Sequence, residues 1–183
     1  MLAFFFIIGL SFLLMAGTLM NMLGNYLFEM RIRADRAGLE KWAVQAADSL
    51  GSMDARGIDE VVRKAGAELG SRVLLLDSDG KVQSDSYQQA MGRRLHYPEV
   101  VSILVSGQTA DYGIHSLKPD NPATRMPLLS FMPSDEWAGY ATAGVIQSSH
   151  VVGVLLMISS LGEMMQSLMM LQNNMVILFA GVA

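Results

Sequence analysis

Arg93-Arg94 and His96, with Tyr112 and His115 further along, are the residues whose types and order could form a binding site. Arginine can grip a carboxylate or phosphate through two parallel N–H bonds. Tyrosine and histidine add directional donors and acceptors. The plainer reading of the same residues is a solvated basic turn. Asp77-Ser78-Asp79-Gly80 begins like a calcium loop, but its fifth position would be Lys81 and its twelfth Gln88. Calcium needs oxygen ligands and a Glu there, so the segment reads as a tight turn. Asp77, Asp79 and Asp85 could make an acidic patch toward a divalent cation or a membrane, and a solvated hairpin end explains them as well. Ser84-Asp85-Ser86 reads as a loop cap. His96, His115 and His150 are the three histidines. None is spaced i, i+4 from another and none lies in a zinc-protease motif, so no metal site is expected. They could titrate at about pH 6–7 and report acid, or be surface and turn histidines. The chain has no cysteine, which excludes disulfides, thiolate metal sites and a cysteine nucleophile. A nucleophile elbow, a P-loop and paired catalytic carboxylates are all missing, and no catalytic residue is assigned.

The elements that must position these side chains follow from periodicity. Val73-Leu74-Leu75-Leu76 is a short apolar run without helical spacing, which reads as a buried strand. Gly80 can take the positive φ that the following turn needs, and Val82 resumes a second strand. Ahead of this hairpin, Ile58, Val61, Val62, Ala65 and Leu69 share one face of a helix, with Gly70 as its C-cap. Gly51 to Gly57 reads as a loop. Pro98 opens a short helix to about Val105, closed by Gly107. Thr109 to Ser116 alternates as a strand, with Ala110, Tyr112 and Ile114 on one side. Leu117 to Thr124 is a loop. Pro127 to Met132 and Gly139 to Gln147 read as two more strands around the turn Pro133 to Glu136, and Val151 to Ser159 as the last strand. Five or six mostly antiparallel strands with helices on one face make an α+β domain.

The charges say where this domain ends. Every Lys, Arg, Asp and Glu lies between Glu29 and Glu163. Leu2 to Leu23 has no charge, and 22 such residues suffice to cross a hydrocarbon core about 30 Å thick. Twelve of them are Leu, Ile or Phe, for an insertion energy of roughly −5 kcal/mol. A basic leader and a cleavage site are lacking, so the segment reads as an uncleaved anchor. Asn21 and Asn25 could bond between two such helices or lie at the headgroup boundary. Glu29 to Leu50 continues the helix, with Ile32, Leu39, Ala43, Ala46 and Leu50 along one seam. That seam suits a rod that pairs in a dimer or a helix packed on its own sheet, and the second is favoured for the domain-proximal half. Met175 to Ala183 is apolar and reads as the first part of a second membrane helix that is truncated. The expected divisions are 1–28, 29–160 and 161–183. The net charge of −4 argues against a nucleic-acid partner.

Taken together, these pieces resemble the extracytoplasmic PAS-like (PDC or Cache-like) sensor domain of bacterial membrane histidine kinases. The motifs that carry the resemblance are Asp77-Ser78-Asp79-Gly80-Lys81-Val82, Asp85-Ser86, Gly92-Arg93-Arg94-Leu95 and Pro98-Glu99-Val100. Gly153-Val154-Leu155 and Ser160-Leu161 before a helix entering the membrane complete them. The resemblance covers roughly residues 10 to 183. It implies a PAS-like, mostly antiparallel five-stranded sheet with flanking helices, set between two membrane helices. It implies a signal-input role for a homodimer in the bacterial plasma membrane. The pocket of such sensors lies between the sheet and the segments around the short central helix, hence Arg93, Arg94, His96, Tyr112 and His115 as ligand-contacting candidates for a small molecule. It also implies that autophosphorylation with ATP and Mg, and transfer to a response regulator, belong to a kinase region after Ala183. This chain is then expected to hold no cofactor and no metal. Chemoreceptors and diguanylate cyclases carry similar modules, and a membrane-anchored binding or scaffold protein is the reading from another class. Residues 29–160 are expected outside the cytoplasm, although Arg31, Arg33 and Arg36 just after the first span would by charge alone favour the inside.

Overall fold

In the computed structural model, which describes residues 2–52, 54–116, 137–162 and 170, one long helix leads into a five-stranded sheet. The elements are α1 (Leu2–Gly51), α2 (Ala55–Leu69), β1 (Arg72–Asp77), β2 (Val82–Asp85), α3 (Pro98–Ser106), β3 (Ala110–Ser116), β4 (Trp137–Gln147) and β5 (His150–Ser160). The strand order is β2-β1-β5-β4-β3, with β1–β2, β1–β5, β3–β4 and β4–β5 all antiparallel. This is the expected α+β, PAS-like layout. The strand expected at Pro127 to Met132, its neighbouring loop and turn, and the second membrane helix lie outside the described residues.

α1 runs without a break from the apolar segment into the domain. Among the described residues it is the helix long and apolar enough to cross a membrane. Its C-terminal half packs on the sheet: Leu39, Trp42, Ala43, Ala46 and Ala47 are buried with Val73, Leu75, Ala141, Ala143, Leu155 and Met157. The small alanines bring helix and sheet together, so the domain-proximal half is a packed helix as expected. α2 begins earlier than the expected loop allows. The Asp54 carboxylate accepts from the Arg56 N–H and caps the helix there, and Gly70 ends it at φ 60°.

The helices do not all lie on one face. Successive side chains of a strand point to opposite sides, and β1 and β5 are apolar on both. Val73 and Leu75 meet α1 and α2. Leu74, Leu76, Val154 and Leu156 face the other way and pack with Val100 and Ile103 of α3. An exposed apolar face would be costly, so α3 and the segment before it must cover it.

The organising hairpin is held at its tip by Asp77. Its Oδ1 accepts from the N–H groups of Asp79 (2.9 Å) and Lys81 (3.0 Å), and its Oδ2 from Gln83 Nε2 (2.6 Å). Gly80 sits at φ 72°. The turn's carboxylate is spent on the hairpin's own backbone and on Gln83, in accord with the reading as a turn.

Candidate functional site

The face of the sheet covered by α3 carries the polar chemistry. Glu99 is in the first turn of α3, and its side chain is buried. Its two oxygens lie 2.9 and 3.0 Å from His115 Nε2 on β3. Nε2–H donating to the Glu99 carboxylate is the pairing that this geometry fits. Gly113 makes the room: a Cβ there would run into the Glu99 carboxylate. His115 stands edge-on to Tyr140 of β4, with ring centroids 4.8 Å apart, and Tyr97 packs on Tyr140 at 4.8 Å. Burial, and next the neighbouring Tyr97, push the Tyr140 hydroxyl well above the usual phenol range.

Arg72 borders the same face at the end of β1. Its Nε and Nη2 donate to Asp85 Oδ1 (3.0 Å) and Oδ2 (2.5 Å). The Asp85 side chain is fully buried and also accepts the backbone N–H groups of Tyr87, Gln89 and Ala90. Burial alone would raise its pKa, but the bond from Arg72 and the three N–H bonds outweigh it and hold the carboxyl at about 2. Asp85 therefore caps the loop after β2, as the sequence suggests. Arg72 lies under the exposed Tyr87 ring, 5.9 Å from its centroid.

The residues proposed from sequence do not converge. Arg93, Arg94 and His96 are exposed on the segment between β2 and α3. The Arg94 backbone pairs antiparallel with that of Lys81. Tyr112 and His115 are three residues apart on one strand, so they point to opposite faces. His115 is in the polar cluster. Tyr112 faces α1, its ring edge-on to Phe28 at 6.1 Å. Burial, and then the charge of Asp35, push its hydroxyl up to about 12. His150 is exposed in the β4–β5 turn, its Nδ1 2.9 Å from the Ser148 carbonyl oxygen. Glu99, Tyr97, Tyr140 and Arg72 were missed. Glu99 was visible only as the acidic residue of Pro98-Glu99-Val100, where a helix start normally presents it to solvent.

The strand order, the antiparallel pairing and the helices on both faces give a PAS-like α+β layout. Among solved structures, the chain is similar to the sensor domain of E. coli DcuS, with 13% identity over 60% of this chain and 71% of that one (TM-score 0.42). It is also similar to the sensor domain of the V. cholerae histidine kinase DctB, with 11% identity over 74% of this chain and 58% of that one (TM-score 0.44). No protein-family model matches the chain, and neither does any curated protein.

Proposed function

We propose that this chain is the signal-input region of a two-component sensor histidine kinase. Residues 29–160 sense a cue outside the cytoplasm, and α1 carries the response into the membrane. The observation that carries this reading is the continuity of α1. One unbroken helix joins a charge-free segment to the alanine-lined seam on the sheet, so any shift of the sheet against Leu39, Trp42 and Ala46 moves the membrane end. The α3 face is the proposed place of sensing, because Glu99, His115, Tyr97 and Tyr140 gather there with Arg72 beside them. A homodimer in the bilayer, a downstream kinase using ATP and Mg, and a response regulator are the partners this role calls for. A chemoreceptor or cyclase input would use the same module with a different output.

Two measurements test it. Residues 1–183 joined to the transmitter of a reporter histidine kinase should set a basal phosphorylation level that shifts when His115 is replaced by alanine. An output indifferent to both the chain and the substitution would reject the role. The side of the membrane is read separately. Since the chain has no cysteine, Ser78→Cys at the exposed hairpin tip supplies one reactive thiol. It should be labelled by an impermeant maleimide in intact spheroplasts. Labelling that appears only after lysis would place the domain in the cytoplasm.

A further inference from the structure

The buried polar groups of this domain are unevenly satisfied. Ser84, Asp85, Glu99 and Thr142 all have partners. Among the described residues, the buried side-chain atoms without a hydrogen bond are Asp35 Oδ2, Arg36 Nε, Trp42 Nε1 and the Tyr112 hydroxyl. Three of these belong to α1 and the fourth to the strand that faces it. Buried polar groups are ordinarily paired, so orphans on α1 and on the strand its Phe28 meets mark packing that leaves hydrogen bonds unmade.

Asp35 and Tyr112 are complementary. Asp35 is buried; its Oδ1 is held by Arg31 Nε at 2.9 Å, while Oδ2 accepts nothing. Tyr112 has a donor and no acceptor. Phe28, against which the Tyr112 ring packs, lies seven residues before Asp35 and so on the same face of α1. The hydroxyl is seated over Gly139 of the next strand, where a Cβ would collide with it. The groove that admits it is thus formed by a missing side chain, and it lies beside the helix.

We propose that α1 has two positions on the sheet and that the Tyr112 hydroxyl donates to Asp35 Oδ2 only in the second. In the position described here the hydroxyl rests over Gly139 and the bond is open. A displacement of α1 that carries Asp35 toward β3 closes it. The latch lies where α1 leaves the sheet, between the polar cluster on the far face and the apolar segment. A bond to a charged acceptor made in only one of two states shifts their ratio by roughly tenfold to a hundredfold. That is enough to turn a minor position of α1 into a major one.

The test reads the position of α1 directly. Cysteines are introduced at Met30 on α1 and Gln108 just before β3, both exposed, and labelled with nitroxides. The full chain is then placed in nanodiscs diluted with excess unlabelled chain. Double electron–electron resonance should give two distances, and Tyr112→Phe should remove one of them. Asp35→Leu should remove the same one. If Tyr112→Phe fails to fold, the unsubstituted chain and Asp35→Leu still decide. A single distance in the unsubstituted chain, or two that persist in both variants, would overturn the proposal and leave a rigid interface whose polar atoms are met by water.

Discussion

Asp85→Ala is expected to lower folding stability by about 3–5 kcal/mol, the range for removing one partner of a buried ion pair. The carboxylate is fully buried and accepts two bonds from Arg72 and three from the backbone. Alanine leaves the three N–H groups of the loop after β2 unmet. It also leaves Arg72 without its counter-charge, and Arg72 is itself only partly exposed. Arg72→Ala should cost less, because the backbone bonds to Asp85 remain. The same residue predicts a pH dependence. Its folded pKa is about 2 and an unfolded aspartate titrates at about 3.9. A depressed carboxylate stabilises the fold above the unfolded value and loses that effect as pH falls toward the folded one. Asp85 should therefore contribute about 2–3 kcal/mol at neutral pH, fading between about pH 4 and pH 2. Urea unfolding at pH 7 and pH 3 checks both statements. The variant should be less stable at pH 7, and the gap should narrow at pH 3. An equal gap at both values would mean that Asp85 acts through packing rather than charge.

Much of the scaffold was legible because it rests on local rules. The apolar run Val73 to Leu76, Gly80 at the turn, Pro98 at a helix start and Gly70 and Gly107 after helix ends each specify one conformation. The sheet, however, was read with helices on one face. The signal against that was already present: Val73-Leu74-Leu75-Leu76 is apolar at every position rather than alternating, and such a strand is buried on both sides. The five candidate site residues do not converge for a related reason. Tyr112 and His115 differ by an odd number of residues, so a strand cannot aim both at one ligand. Arg93 and Arg94 attracted attention as charges, yet charge on a connection more often meets water. What no local rule shows is Glu99. Its burial depends on β3 arriving opposite α3 with a glycine at position 113, a pairing set by tertiary structure alone. Tyr140 joins that cluster for the same reason, since β4 brings it beside Gly113 in the register of the ladder.

His115→Ala should be more damaging than Glu99→Gln, although each removes one member of the same pair. Without His115, the Glu99 carboxylate stays buried and, among the described residues, loses its side-chain donor. An uncompensated buried charge costs about 3–5 kcal/mol. Glu99→Gln keeps the shape and an acceptor for Nε2–H while discarding the charge, so about 1–2 kcal/mol is expected. Combining the two should cost less than their sum, because the charge that His115→Ala strands is gone. A coupling of about 1–3 kcal/mol is the expected size, read from thermal or urea unfolding of the four variants. The comparison also separates two uses of the α3 face. If His115→Ala is severe, the pair is closed to water. A ligand then reaches this face only by taking the place of one member, which ties binding to a movement of α3 against β3. If His115→Ala costs under about 1 kcal/mol, water already reaches Glu99. The cluster is then an open pocket whose carboxylate is free to meet a ligand without any rearrangement.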